Sequence, residues 1–568
     1  MLTVDQERAL IGVMKFIEKE VKEFKDCTTL IYGSAGVGKS FLTRYIADQL
    51  RGKFNLAGVA PTHKARKVLD RFLNNKDFYE KGSYTSLIEK KTPFAALNEK
   101  FNTIKTMTVA SLLSKMRAHH YIGVDHYASS GSKVNLYDIF IIDEASMITD
   151  EDVKSMINYA FTYKRKMIFI GDKYQIPNPT QAYIIKDGLA YKGDSIIFNI
   201  SGFELIKNMR QKDENPITTL YLELRDAIAE LREPNLDRED LIDEKKNIGV
   251  QFFLDKEKWY EKMLEILRGT KNDELHKVRI IAYTNDCVKT NNQQVRKMLG
   301  RGTKPEVGEL LMGYANVGFP EFYVNNGQDY YILNVEETKR YRILEFTGLC
   351  GMVITTKECD SNIQAKLFVP DIENVKNLEI LEELVKRAEK VNRNHSTKTD
   401  YRKYSDIRNK LIFMENIYKY NGEIIGETQF RAVHPLLFKN VNEVIDCNNQ
   451  TVIQNKLSDD IQEKYGDILH DRLKDDKIFA DVEKICGKYL IIEKDIDFGY
   501  CITAHRSQGS TFKTVFLDEP DFEKLRDRYD YHIGCDVKTV KERNQLKYVS
   551  YTRPTHSAYV FYQEIAQE

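Results

Sequence analysis

The sequence predicts an α/β fold of two parallel-sheet domains, each carrying an insertion. Three observations predict it. Short apolar runs at 56–60, 139–142 and 167–170 end in polar residues and alternate with helical patterns, the pattern of parallel strands buried on both faces. A glycine-rich turn directly follows the apolar run at 29–32, in a strand-turn-helix setting. The same rhythm returns at 278–283, 500–503, 515–517 and 558–562, with a long interruption after the first of these. With 568 residues the chain exceeds what one hydrophobic core holds, so several domains are expected.

The elements follow in order. Ala9, Leu10, Val13, Met14, Ile17 and Val21 recur at helical spacing, which predicts an opening helix ahead of the first strand. Within the interruption, Leu378, Leu381, Val385 and Ala388 share one helix face, while Tyr404, Ile407, Leu411, Met414 and Tyr418 follow a heptad-like spacing. Two helices there project as an arm or pack on a core, and the pattern allows both.

Lysine plus arginine and aspartate plus glutamate both total 85, so no global positive field recruits a polyanion and any such binding uses a local groove. The eight cysteines show no C-x-x-C or Cys/His spacing, which argues against a zinc site and for reduced thiols. No apolar run approaches the ~18 residues of a membrane span, and residues 1–10 lack a signal-peptide core. A soluble cytoplasmic protein without membrane partners is expected, in a host cytoplasm if the AT-rich character of the composition reflects a phage.

Gly33-Ser34-Ala35-Gly36-Val37-Gly38-Lys39-Ser40 fits the phosphate-binding pattern G-x-x-x-x-G-K-[ST]. Glycines let backbone N–H groups close on phosphates, Lys39 supplies charge to the β/γ oxygens, and the Ser40 hydroxyl suits Mg²⁺. The run 139–142 ends in Asp143-Glu144. Alone, that pair is a solvated strand end. Beside the glycine loop it becomes a hydrolytic constellation, with Asp143 on Mg²⁺ and Glu144 as base toward water. ATP and Mg²⁺ are the cofactors implied. Arg210 and Arg553 stand in settings that suit arginine fingers, yet among 85 basic residues each taken alone reads as a surface charge, and only family context makes it more.

This ordered series resembles the superfamily one helicases: Gln6, the loop 33–40, Ala60-Pro61-Thr62-His63-Lys64-Ala65, Asp143-Glu144-Ala145-Ser146 and Gly171-Asp172-Lys173-Tyr174-Gln175. Arg210, Ala282-Tyr283-Thr284-Asn285, the stretch 502–511 with Thr503, His505, Gln508 and Gly509, and Tyr548-Val549-Ser550-Tyr551-Thr552-Arg553 continue it in the family's order. The T-x-H-x-x-Q-G form is similar to the 5′→3′ group, with the phage Dda type nearest and RecD-like enzymes next.

The resemblance implies two RecA-like domains that clamp ATP between them. It divides the chain into 1–205 with a pin insertion about 112–136, then 206–310 joined to 487–568, and an accessory domain 311–486, SH3-like with a helical arm about 371–420. Gln6 would read adenine, Gly509 would line the nucleotide, Gln175 would sense the γ-phosphate, and Arg210 and Arg553 would reach across the cleft. Thr62, His63, Thr108, Ser111, Tyr283, Asn285, Thr503 and His505 would lie along a single-strand track, touching mainly phosphate and sugar. Where related helicases often carry histidine, this chain has Ala110. Tyr121, His126 and Tyr127 would belong to a strand-separating pin. The activity implied is an ATP-dependent 5′→3′ DNA helicase acting on single strands and forked duplex in replication, recombination or repair, beside a single-strand-binding or replisome protein. A single-strand translocase that remodels proteins, and an RNA helicase, are the alternatives.

Overall fold

In a computed structural model the described residues are 2–74, 103–119, 125–129, 132–207, 215–243, 248–314, 317–318, 323–343, 346–361, 363–371, 373–377, 379–380, 492 and 495–563. Two compact units emerge, one of Met1–Lys115, Ser129–Gly302 and Gly499–Glu568, the other of Met116–Ala128 and Thr303–Phe498.

The first unit holds two parallel sheets. One comprises β1 (Thr28–Gly33), β2 (Leu56–Ala60), β3 (Lys105–Thr108), β4 (Ile139–Ile142), β5 (Lys166–Gly171) and β6 (Gly202–Leu205), in the order β6-β1-β5-β4-β2-β3. Every pairing in it is parallel. The unbroken apolar runs have a direct cause, because alternate side chains enter different cores. Ile31, Ile139, Ile141, Ile168 and Ile170 join Ala9, Val13, Leu42 and Ile46 on one face. Leu30, Phe140, Ile142, Met167 and Phe169 join Val153 and Met156 on the other. The opening helix Val4–Glu18 starts at a capping box of Thr3 and Gln6, and its buried face carries Ala9, Val13 and Ile17.

The other sheet comprises β7 (Leu241–Asp243), β8 (Ile248–Phe253), β9 (Val278–Ala282), β10 (Cys501–Thr503), β11 (Phe512–Asp518) and β12 (Pro554–Phe561), in the order β7-β8-β12-β11-β9-β10. Only β7 is antiparallel. The single tryptophan of the sequence, Trp259, is fully buried behind this sheet; its indole N–H donates to the Tyr559 carbonyl at 3.0 Å and its ring meets Phe516 edge-on.

Stripped of β6 and β7, the two sheets share one winding: β1-β5-β4-β2-β3 corresponds to β8-β12-β11-β9-β10. The likeness lies in topology, since the sequence shows no repeat. Segments from both halves also combine in a four-stranded sheet, in which Cys535–Lys538 pairs parallel with Leu189–Lys192.

In the second unit, Leu310–Gly313, Asp329–Ile343, Phe346–Glu358, Gln364–Pro370 and Ile496–Phe498 form a five-stranded antiparallel sheet. Beyond its first few residues the expected helical arm about 371–420 lies outside the described residues. Within the expected pin, Lys115–His119 and Asp125–Ser129 pair as two strands. His126 and Tyr127 lie on the second strand, and Tyr121 is outside the described residues. Among the described residues no helix is long and apolar enough to cross a membrane.

Candidate active site and nucleic-acid interface

The phosphate loop runs from the end of β1 into the helix Lys39–Leu50, which caps on Gly38 in the left-handed conformation. Gly36 and Gly38 have φ of 85° and 78°, a region that costs other residues roughly 1–2 kcal/mol, so the tight turn requires glycine there. The Lys39 ammonium donates to the carbonyls of Gly33 at 2.6 Å and Ser34 at 2.9 Å and pairs with Asp172 Oδ2 at 3.5 Å. Gln6 sits fully buried beside this loop; its amide N–H₂ donates to the Val37 carbonyl at 3.1 Å and its carbonyl accepts from the Thr3 N–H. In this structure Gln6 therefore braces the loop. Ser40 is exposed on the first turn of the helix.

Asp143 and Glu144 emerge where β4 ends. Glu144 adopts φ 50°, a conformation rare for a residue with a side chain and frequent at functional sites. Its N–H donates to Asp143 Oδ1 at 2.9 Å. Burial, with Asp143 alongside, pushes the Glu144 carboxyl up to about 7, while Arg553 and Lys39 pull it back. Burial also raises Asp143. A carboxyl tuned to that range suits a general base. Gln175 is buried, and among the described residues its amide oxygen has no hydrogen-bond partner. An acceptor left unsatisfied in a polar site fits a role toward a ligand or its water.

The second sheet contributes to the same place. Tyr548 donates to Asp172 Oδ2 at 3.1 Å and accepts from the Ala35 N–H at 2.7 Å. Gln508 donates to the Ile176 carbonyl at 2.9 Å. Gly509 has φ 70°, and a Cβ there would lie 3.7 Å from Ala65 Cβ and 3.8 Å from Glu144 Oε1. Arg553 is buried, its guanidinium donating to the carbonyls of Val549 and Ser510 and to Thr552 Oγ1. Arg210 lies outside the described residues.

The proposed strand track has an ordered basis. β2 and β3 occupy one edge of the first sheet, and β9 and β10 the matching edge of the second. Each of the four runs into a helix capped by threonine: Thr62 Oγ1 accepts from Ala65 N–H, Thr108 from Ser111, Thr284 from Cys287 and Thr503 from Arg506, at 3.1 to 3.3 Å. Thr62 and Thr284 stand at the same offset from the last strand residue, and Thr108 and Thr503 are themselves the last.

Thr62, His63 and Asn285 are exposed; Tyr283 and His505 are half-buried with ring centroids 6.4 Å apart. Ser111 Oγ accepts from Lys133 Nζ at 3.0 Å. Thr108 and Thr503 are largely buried, so their hydroxyls act chiefly as caps.

Sequence reasoning missed Asp521. Its buried carboxylate accepts from Tyr283 N–H at 2.8 Å, Thr284 N–H at 2.7 Å and Thr284 Oγ1 at 2.8 Å, and pairs with Lys524. It fixes the β9 junction from 237 residues away, a distance at which local pattern gives no signal. Replacing Asp521 by alanine should weaken single-strand binding about tenfold by loosening Tyr283 and Asn285, equivalent to ~1.4 kcal/mol. Unchanged affinity in a fluorescence anisotropy titration refutes that positioning role.

Comparison with known proteins shows what the chain is similar to. A family model described as an AAA domain matches residues 17–246. The RecBCD enzyme subunit RecD of Buchnera aphidicola subsp. Schizaphis graminum is 28% identical over 379 residues, 61% of this chain and 60% of that protein. Over that stretch the chain is similar to this RecD subunit. An uncharacterized protein, R530, of Acanthamoeba polyphaga mimivirus is 22% identical over 92% of this chain and 94% of its own length. Among solved structures, the Pif1 helicase of Candida albicans is 13% identical, covers 99% of this chain and 94% of that one, and gives a TM-score of 0.40. The Pif1 helicase from Bacteroides in complex with ADP-AlF3 and ssDNA is likewise 13% identical, with coverages of 98% and 92% and a TM-score of 0.41.

Proposed function

We propose that this chain is an ATP-dependent DNA helicase that moves 5′→3′ along a single strand and separates duplex ahead of it. One observation carries most of the weight: both sheets offer threonine-capped helix starts at matching edges, while Lys39, Glu144, Asp172, Tyr548 and Arg553 converge between them.

Mg-ATP would supply the transferable phosphoryl group and its charge-neutralising cation. Lys39 and the loop N–H groups hold phosphate oxygens. Ser40 and Asp143 are hard oxygen donors that fit Mg²⁺. Glu144 orients a water and takes its proton, Gln175 accepts a hydrogen bond from that water, and Arg553 with Arg210 neutralises developing charge. Thr62, His63, Ser111, Tyr283, Asn285 and His505 grip sugar and phosphate without reading bases, and Thr108 and Thr503 set the helix starts on the same track. We keep the three-part division of the chain, with pin and accessory domain, as part of this proposal. Forked duplex and a single-strand-binding or replisome protein are the partners it implies.

The test compares single-stranded DNA and RNA as activators of ATP hydrolysis. DNA should stimulate strongly and without sequence preference, and its affinity should fall on the order of a thousandfold between low and moderate salt, as phosphate contacts dictate. Preferential stimulation by RNA favours the RNA-helicase alternative, and an affinity insensitive to salt refutes the track.

A further inference from the structure

All three donors of the Lys39 ammonium have acceptors within the protein: the carbonyls of Gly33 and Ser34, and Asp172 Oδ2. The same Asp172 oxygen accepts from the Tyr548 hydroxyl, which in turn accepts from the Ala35 N–H in the phosphate loop. One hydroxyl, fully buried, thus closes a chain running Ala35, Tyr548, Asp172, Lys39 and back to the loop. The ring is held from both sides, by Tyr174 at 6.0 Å in the segment after β5 and by Tyr221 at 6.3 Å on the helix Ile217–Glu230.

A phosphate held by the loop requires Lys39 to give up at least one of its three acceptors, because an ammonium has no fourth donor. The longest of the three, at 3.5 Å, is to the Asp172 carboxylate that Tyr548 holds in place. We infer that Tyr548 is a positioning residue that latches the phosphate loop to the second sheet, and that phosphate binding opens the latch. Resting on the nucleotide site proposed above, it adds the route by which that site is coupled to the helix Val540–Tyr551 and hence to Arg553 just beyond its end. While the hydroxyl bridges Ala35 and Asp172, the Ala35 N–H and the Lys39 ammonium are spent internally. Once phosphate claims the Ala35 N–H and draws Lys39 away, the hydroxyl loses its tie to the loop and Tyr548 can move with its helix, carrying Arg553 away from the Ser510 carbonyl.

Tyr548→Phe removes the hydroxyl and keeps the ring between Tyr174 and Tyr221, so the fold survives. Because a latch opposes binding, the variant should bind a fluorescent ADP analogue about fivefold more tightly than wild type, the size expected when one competing hydrogen bond is removed. Pyrophosphate should displace that analogue from the variant at correspondingly lower concentration, since the effect resides at phosphate and not at the base. In steady state KM for ATP should fall and kcat should fall with it, because the hydroxyl no longer ties the loop to the helix that carries Arg553. A merely structural tyrosine moves the unfolding midpoint without tightening either ligand. Unchanged or weaker affinity for the analogue, or tightening that pyrophosphate does not share, overturns the latch. Absence of nucleotide binding by wild type, with Lys39→Ala indistinguishable from it, refutes the nucleotide site itself and the latch with it.

Discussion

Lys39→Ala and Glu144→Gln are each expected to lower steady-state ATP hydrolysis on the order of a thousandfold, equivalent to ~4 kcal/mol of barrier, but for different reasons. The Lys39 ammonium is bonded to both the loop and Asp172, so its loss removes charge from the phosphate oxygens and weakens nucleotide binding as well. Glu144 is raised to about 7 by burial beside Asp143, and the amide that Glu144→Gln introduces cannot accept the water's proton. Asp143 stays in place in that variant, so nucleotide should remain tightly held and unhydrolysed. Equilibrium binding beside a steady-state assay separates the two. Near-normal turnover by Glu144→Gln contradicts its role as base.

The second large effect concerns the pin. Lys133 is tied to the first sheet's domain, its N–H to the Leu112 carbonyl and its ammonium to Ser111, so the segment replaced should stop short of it. Exchanging 116–129 for a short Gly/Ser linker removes the paired strands and leaves Lys39, Glu144 and Arg553 untouched. DNA-stimulated hydrolysis should persist near the wild-type rate. Strand separation should fall about tenfold or more, because each base-pair step opposes the motor by ~1.4 kcal/mol and no wedge remains to hold the opened pair apart. Full unwinding by this variant places the wedge elsewhere.

Much of the first unit was legible because its strands are buried on both faces, and 56–60, 139–142 and 167–170 therefore read as unbroken apolar runs. The strands that escaped notice sit at or near sheet edges. β3, Lys-Thr-Met-Thr, and β6, Gly-Phe-Glu-Leu, bury too little apolar surface to stand out, yet β3 carries Thr108 at its end. At the site, contiguous motifs such as 33–40 and 143–144 announced themselves because the chemistry needs those types at adjacent positions. Contacts that cross the chain gave no local sign: Asp521 holding Thr284, and Tyr548 holding Ala35 from 513 residues away. The intramolecular bonds of Gln6 and Arg553 were equally invisible, since a motif fixes a residue's type and not its partner.

The most direct measurement of the central claim is ATP-dependent unwinding of a short duplex carrying either a 5′ or a 3′ single-stranded tail, with a blunt duplex alongside. Separation of the 5′-tailed substrate alone, abolished in Lys39→Ala, is what the proposed 5′→3′ movement, a direction taken from the family resemblance, predicts. Equal separation of both tailed substrates contradicts the assigned direction, and hydrolysis with no separation of either contradicts the helicase itself.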